Sequence, residues 1–271
     1  MIVDFHTHIF PDKIAEATIR MLSEKAGISG YLDARAESLI MSMDQSGIDR
    51  SVILPALTAP RQFDSVNRFT HEISKASGNR LIAFGGIHPD CDEIEDKLKY
   101  LAELGFYGIK LHPDYQNTFI DDERYINIVT LAVKNGLAVT IHAGVDIGMP
   151  DPVHCPPDRS ARMLEKVIAN TVGYDPRIIL AHMGGYGMTD DVLRYLCGSE
   201  VYFDTGFTLS DGDIENTLRI IRAHGADKVL FATDSPWAPQ DRYLEILNSL
   251  SVSQDDKRLI LGENARKILR L

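Results

Sequence analysis

Cysteine is scarce in this sequence. Its three cysteines, Cys91, Cys155 and Cys197, include no CxxC pair. This spacing favours reduced thiols over a disulfide framework or a zinc site built from thiolates. Any metal chemistry would therefore have to come from histidine and carboxylate side chains.

Long apolar runs and an excess of positive charge are also missing. No run approaches the roughly 20 residues of a membrane-spanning helix. The formal net charge of −11 argues against nucleic acid or an anionic membrane as the main partner. An anionic small molecule remains open as a substrate, because a bound metal can outweigh the global charge locally. Asp4 and His6 stand where a secretory signal would be basic and then apolar, which predicts a cytoplasmic location.

No linker, charge run or shift in composition divides the chain. Short apolar runs alternate with longer amphipathic stretches, which is typical of parallel β/α units. Strands are predicted at 2–8, 51–57, 81–88, 108–112, 138–142, 177–182, 201–206 and 228–234. Helices are predicted at 33–46, 64–77, 91–104, 122–135, 158–171, 190–196, 213–223 and 242–250, and a closing helix pair, broken near Gly262, at 255–271.

Eight such units predict an α/β fold in which residues 1–271 form a single (β/α)8 barrel, the TIM barrel. A doubly wound open sheet is the alternative. Residues 9–32 follow the first strand as an extra stretch, with a helix starting at Pro11 and Asp12, and are a candidate lid over the barrel mouth. His71 and His224 fall on predicted helices, where we expect them at the surface.

Polar side chains recur at the ends of these strands. The first strand ends in His6-Thr-His8, and alternation along it predicts one face for Asp4, His6 and His8. Later strands end in His88, His112, His142, His182 and Asp234. Since the carboxyl ends of parallel barrel strands meet at one face, these groups are predicted to converge there. Imidazoles with a carboxylate suit zinc or a similar divalent ion, such as Mn, Fe or Co, better than calcium or magnesium.

Four motifs carry a resemblance to a known family. They are Gly108-Ile-Lys-Leu-His-Pro, Leu180-Ala-His-Met-Gly-Gly, Phe231-Ala-Thr-Asp-Ser-Pro-Trp and Gly262-Glu-Asn-Ala-Arg. Together with Asp4-x-His6-x-His8 they resemble the amidohydrolase superfamily. More narrowly, they resemble its amidohydrolase-related branch, which includes aminocarboxymuconate-semialdehyde decarboxylase, related decarboxylases and lactonases. The resemblance implies a barrel, a catalytic divalent metal, in one or two ions, and a small-molecule substrate.

By the same resemblance, His6, His8, His142 and Asp234 would hold the principal metal. Asp234 would also carry the reaction's proton. His182 has two roles open to it, as a catalytic group beside one metal or as a ligand, with His142, to a second.

Lys110 decides between those arrangements. A carboxylated lysine on strand four bridges two metals in part of the superfamily, which would make Lys110 a metal ligand. The alternative is a cationic Lys110 that binds a substrate carboxylate or pairs with an acid such as Asp204.

Five further residues are candidates for substrate binding: His88, His112, His154, Arg159 and Trp237. His88 and His112 each precede a proline, so shaping a turn is the alternative role for both. His154 lies in the proline-rich loop 149–158, and Arg159 follows at a predicted helix start, where the two could recognise an anionic group. Trp237 follows Asp234 and could line the pocket wall.

The preferred function is hydrolysis of a C–N or C–O bond in a small, anionic amide, ester or lactone by metal-activated water. Non-oxidative decarboxylation of an unsaturated or aromatic carboxylate is the first alternative, and a metal-binding barrel without turnover is the second. Homo-oligomerisation stays open, because exposed apolar helix faces look like buried ones in a sequence.

Overall fold

Eight parallel strands lie side by side in chain order in the computed structural model of the chain, which describes residues 1–149, 151–209 and 213–271. They are β1 Val3–Thr7, β2 Arg50–Ile53, β3 Leu81–Gly86, β4 Gly108–Leu111, β5 Ala138–Ile141, β6 Ile178–Leu180, β7 Tyr202–Asp204 and β8 Val229–Leu230.

The sheet closes on itself between its last and first strands. Phe5 N–H donates to the Phe231 carbonyl at 2.8 Å, and Asp234 N–H donates to the His6 carbonyl at 2.9 Å. A closed ring of eight parallel strands with helical crossovers is a (β/α)8 barrel. The predicted fold is therefore confirmed, and the doubly wound alternative is wrong.

Helices occupy every crossover of the described chain. They are α1 Asp12–Ala26, α2 Ala36–Ser46, α3 Phe63–Ala76, α4 Ile94–Glu103, α5 Glu123–Lys134, α6 Pro157–Asn170, α7 Thr189–Tyr195, α8 Ile214–His224, α9 Gln240–Ser249, α10 Gln254–Arg258 and α11 Asn264–Leu269. Among these described helices, none is both long and apolar enough to cross a membrane.

One turn of π-helix, Leu259–Glu263, interrupts the closing helix pair at the predicted place. A Cβ on Gly262 would lie 2.0 Å from the Met1 carbonyl oxygen. Glycine is needed there because the N-terminal backbone passes directly against the turn.

The first strand departs from strict alternation. Its register against β2 shifts between Asp4 and Thr7. The Asp4 carboxylate accepts a hydrogen bond from Gln240 of α9 at 2.8 Å, whereas His6 Nε2 lies 3.2 Å from Lys110 Nζ of β4. The prediction that Asp4 shares a face with His6 is therefore wrong, because the register shift turns the two side chains to opposite sides of the barrel wall.

His224 is buried, which corrects its predicted surface position. It ends α8, and its ring stacks on Phe203 of β7 with the ring centres 4.0 Å apart. Its Nδ1 accepts from Gly198 N–H at 3.2 Å, and its Nε2–H donates to the Val201 carbonyl at 2.8 Å. Both nitrogens of the neutral ring are thus satisfied, and burial lowers the pKa of His224 below its ordinary 6.5.

We expect His224 to make the fold acid-sensitive. The folded protein favours the neutral ring, so the stability that His224 contributes is complete above about pH 6.5 and declines as the pH falls below it, by at most about 1.4 kcal/mol per pH unit. The measurement is the free energy of unfolding in urea at pH 7.5 and at pH 5.5, for the wild type and for His224→Phe. The variant keeps the ring stacking but cannot titrate. Equal pH slopes for the two proteins would contradict the expectation.

Candidate metal centre

Three ligand atoms from the two ends of the chain converge at the mouth of the barrel. His6 Nε2 lies 3.2 Å from His8 Nε2, and Asp234 Oδ1 lies 3.4 Å and 3.0 Å from these two nitrogens. The backbone hydrogen bond from Asp234 to His6 brings the ends of β1 and β8 together. We call His6, His8 and Asp234 the metal cluster.

The opposite nitrogens of both rings are held by acceptors. His6 Nδ1 lies 2.9 Å from a carboxylate oxygen of Asp204, and His8 Nδ1 lies 2.8 Å from the Leu54 carbonyl oxygen. A carboxylate and a carbonyl can only accept, so each Nδ1 carries the proton and each neutral ring turns an Nε2 lone pair toward the cluster. Two lone pairs and a carboxylate oxygen repel one another unless a cation lies among them. The cluster therefore fits a divalent ion.

Charge in the cluster follows from its burial. Burial is the main cause that lowers the pKa of His6 well below its usual value, and this keeps the ring neutral. Burial opposes ionisation of Asp234, yet the pKa of its carboxyl is lowered, because positive charge placed beside it, on His6 first, favours the ionised form. A neutral imidazole and an ionised carboxylate are the forms that bind metals.

Lys110 reaches the same place from β4. Its Nζ lies 3.2 Å from His6 Nε2, and burial lowers the pKa of Lys110 to about 8. Asp204 does not hydrogen-bond to Lys110 but accepts from His6 Nδ1 and from the backbone N–H groups of His182 and Gly206. Lys110 thus lies where either predicted role, metal bridge or ammonium, would place it.

His142 and His182 form a second pair beside the cluster. His142 Nδ1 lies 3.1 Å from His182 Nε2, and the His182 ring centre is 5.0 Å from that of His6. His182 Nδ1 lies 2.8 Å from the Gly206 carbonyl oxygen, so its proton is on Nδ1. His142 thus contacts His182, which lies beside His6, rather than His8 or Asp234.

His112 stacks on His142, with ring centres 4.1 Å apart. Its Nδ1 accepts from Tyr115 N–H at 3.4 Å, and its Nε2 lies 3.3 Å from Asp146 Oδ2. The ring proton is therefore on Nε2 and faces a carboxylate. His112, His142 and Asp146 lie close enough to hold an ion, but His112 offers it no free lone pair.

Three other predicted substrate-binding residues, His88, His154 and Arg159, make their contacts with residues outside the metal cluster. His88 Nδ1 accepts from Asp90 N–H at 3.1 Å. His154 lies in the loop that follows β5, and its Nδ1 is 3.1 Å from Asp114 Oδ1. Pro150 of the same loop lies outside the described residues. Arg159 pairs with Asp121 at 2.7 Å and lies over the Phe119 ring.

Trp237 lines a cavity of about 640 Å³. The cavity is bordered by residues 28–31, Phe207, Leu209, 237–239, Arg242, Tyr243 and Ile246. Phe207 directly follows Gly206, and Trp237 N–H donates to the Asp234 carbonyl at 3.0 Å. The cavity therefore adjoins the two loops that carry Asp234 and the acceptor of His182.

Sequence reasoning missed two acids, the buried Asp114 and the partly buried Asp146, which face the imidazole ring edges. Both lie on loops after strands, where neither periodicity nor a motif marks a side chain. The only signal was the position of Asp114 two residues after His112, in the His-Pro-Asp segment.

One protein family matches nearly the whole chain in sequence. The sequence profile of the amidohydrolase family matches residues 3–271. No protein in the curated collection matches the chain in sequence.

Several solved structures share the fold over nearly their whole length. 5-Carboxyvanillate decarboxylase from Sphingomonas paucimobilis is 17% identical, with a TM-score of 0.71, over 100% of this chain and 99% of that one. A 2,6-dihydroxybenzoate decarboxylase complexed with 2,6-dihydroxybenzoate is 19% identical, with a TM-score of 0.70, over 100% and 99%. A dihydroxybenzoic acid decarboxylase from Polaromonas sp. JS666, with bound manganese and the inhibitor 2-nitroresorcinol, is 16% identical, with a TM-score of 0.74, over 100% and 97%.

These relatives correct the preferred function. All three are decarboxylases of aromatic carboxylates, so the prediction of hydrolysis as the main activity is wrong, and these structures agree with its alternative, non-oxidative decarboxylation. The predicted divalent metal is supported by the donor set and by the manganese in the Polaromonas structure, whereas the preference for zinc is not. From the profile match across residues 3–271, the chain belongs to the amidohydrolase family.

Proposed function

We propose that the protein is a divalent-metal-dependent, non-oxidative decarboxylase of a small aromatic carboxylate with a hydroxyl group next to the carboxylate. The observation that carries the proposal is the convergence of His6 Nε2, His8 Nε2 and Asp234 Oδ1. A mainly apolar cavity, lined by Trp237, borders the loop that carries Asp234. The ligands of the similar structures, 2,6-dihydroxybenzoate and 2-nitroresorcinol, are of the size and chemistry that such a cavity suits.

The cavity would accept the aromatic ring. Trp237, Phe207 and Leu209 present apolar surface, and Arg242 adds a positive charge to the lining. A ring placed there would direct its carboxylate and hydroxyl oxygens toward Asp234 and the two histidines. Residues 28–31, which follow α1, also line this cavity, so we infer that 9–32 cover the mouth of a single 1–271 barrel.

Decarboxylation needs a proton at the ring carbon that carries the carboxylate. As the bond to the carboxylate carbon breaks, its electron pair returns to the ring and CO2 leaves. We assign proton transfer to Asp234, which is ionised and can carry a proton from the substrate hydroxyl to the ring carbon. His182, whose Nδ1–H is held by the Gly206 carbonyl and whose ring centre lies 5.0 Å from that of His6, would border the bound substrate. A bound divalent ion would act as a Lewis acid on the substrate oxygens. Manganese and zinc both suit a set of imidazoles and one carboxylate.

The test is release of CO2 from carboxyl-labelled substrates. Protein loaded with Mn²⁺ or Zn²⁺ is incubated with 2,6-dihydroxybenzoate, 5-carboxyvanillate and related hydroxybenzoates, and labelled CO2 and the phenol are measured. Equal amounts of the two products are expected, and benzoate, which lacks the hydroxyl, serves as the matched control substrate. Metal-loaded protein that releases no CO2 from any hydroxybenzoate would refute the proposal.

Trp237→Ala is expected to raise KM about 3–10-fold, because an aromatic contact is worth about 0.5–1.5 kcal/mol beyond area burial. The value of kcat should change less, since Trp237 is proposed to bind the ring and not to transfer protons. Trp237→Phe is the matched control and should retain most of the affinity. An unchanged KM in the alanine variant would exclude Trp237 from the substrate pocket.

A further inference from the structure

A buried polar pair lies behind the metal cluster. His142 Nε2 and Asp114 Oδ2 face each other at 4.0 Å, and neither has a hydrogen-bond partner among the described residues. Both residues are buried, with 7% and 4% of their surfaces exposed. A buried carboxylate oxygen and a buried ring nitrogen left unpaired are costly, so the pair calls for an explanation.

Asp114 is held so that this oxygen stays aimed at His142. Its other oxygen, Oδ1, accepts from the backbone N–H of His154 at 3.0 Å and lies 3.1 Å from His154 Nδ1. The ring of His142 is held as well, since His112 stacks on it at an interplanar angle of 8°. The two atoms are about 1 Å farther apart than a hydrogen bond spans, so a small shift brings them into contact.

The position of the His142 proton decides whether that bond forms. His182 presents an Nε2 lone pair to His142 Nδ1 at 3.1 Å. If the His142 proton is on Nδ1, it bonds to His182 and leaves Nε2 as a second acceptor in front of Asp114. If the proton is on Nε2, it can bond to Asp114, and two lone pairs then face each other between His142 and His182. The second arrangement is favourable only when a cation takes those lone pairs.

We propose that Asp114, held by His154, is a positioning residue that accepts the Nε2–H of His142 and thereby turns the Nδ1 lone pair of His142 toward a metal ion. The inference rests on the metal centre of the proposed function, to which it adds His142 as a ligand and Asp114 as the carboxylate behind that ligand. It also assigns His154 a role in holding Asp114, where the sequence suggested substrate binding.

The first test measures metal affinity. Zn²⁺ binding is followed by competition with a chelator in the full-length wild type and in the Asp114→Ala and Asp114→Asn variants. Loss of a carboxylate that hydrogen-bonds to a metal-bound histidine typically lowers metal affinity roughly 10–100-fold, and we expect this loss for Asp114→Ala. Asp114→Asn should lose less, because its side-chain oxygen can still accept a hydrogen bond. Asp121→Asn, which alters the carboxylate paired with Arg159, is the control and should bind Zn²⁺ like the wild type.

The second test reads the tautomer itself. In ¹⁵N-labelled wild type, the nitrogen shifts of His142 should report Nδ1–H without metal and Nε2–H after addition of Zn²⁺. This measurement needs no variant, so it decides the inference even if Asp114→Ala fails to fold. Wild-type affinity in a folded Asp114→Ala protein, or a proton that stays on Nδ1 in the Zn²⁺ form, would overturn the inference and leave the proposed decarboxylase intact. A wild type that binds neither Zn²⁺ nor Mn²⁺ would refute the metal centre and the inference with it.

Discussion

Asp234→Ala is expected to weaken binding of a divalent ion by more than about 100-fold and to abolish CO2 release. Mutation of a residue that only hydrogen-bonds to a metal ligand already lowers metal affinity roughly 10–100-fold. Asp234 is itself a proposed ligand and the only anion of the metal cluster, so its loss should cost more. Its Oδ1 lies 3.0 Å from His8 Nε2 and 3.4 Å from His6 Nε2. Removing it leaves two neutral imidazoles as the remaining cluster donors, which bind the ion without neutralising its charge.

Two further variants separate charge from shape. Asp234→Asn keeps the size of the side chain and one oxygen but loses the charge, so it should bind metal more weakly than the wild type and lack the proposed proton carrier. Asp241→Asn changes an exposed carboxylate seven residues along the chain and should leave both metal content and turnover unchanged. Metal analysis after dialysis and CO2 release measure the two effects. An alanine variant that retains wild-type metal affinity would remove Asp234 from the centre.

Gly144→Ala is expected to lower the free energy of unfolding by about 2–4 kcal/mol, combining about 1–3 for overpacking with about 1 for a strained backbone. Gly144 has a φ of +82°, and a Cβ on it would lie 2.1 Å from Tyr186 N and 2.5 Å from Gly185 C. The contact is between backbones, so no side chain can move away. Tyr186 N–H donates to the Ala143 carbonyl at 3.1 Å, and Val145 N–H donates to the Tyr186 carbonyl at 3.0 Å.

This contact joins the loops that follow β5 and β6, two residues after His142 and four after His182. Gly136→Ala is the matched control, because Gly136 has a φ of +72° but no described atom lies within 4 Å of the position that a Cβ would take. The free energy of unfolding of this variant should fall only by the cost of the strained backbone, about 1 kcal/mol. Urea unfolding of both variants gives the comparison. Equal losses would mean that the approach of the two loops contributes nothing beyond the positive φ.

Much of the barrel could be predicted because its signals are local. Each strand is a short apolar run, and the carboxyl ends of eight parallel strands must meet at one face once the barrel closes. The convergence of His6, His8 and Asp234 follows from that rule alone. The approach of Lys110 to His6 follows from it as well, since both side chains lie at the same end of the barrel.

Other features depend on segments that meet only in the folded chain. The face of Asp4 was mispredicted because alternation assumes an unbroken register, and β1 shifts against β2. His224 was expected at the surface because a helical pattern does not reveal that Phe203 of β7 covers its end. The ligand set alone suits both hydrolysis and decarboxylation, so it could not decide between them.

The sequence by itself determined the strand count, the closed parallel fold and the residue types at the strand ends, because these depend on spacing within single elements. Only the tertiary structure decided which nitrogen of each histidine faces the metal cluster, that Asp114 and His154 lie behind His142, and that Trp237 lines a cavity beside Asp234. These contacts join loops whose meeting points are set by the packing of the whole barrel. No local pattern in the sequence encodes that packing.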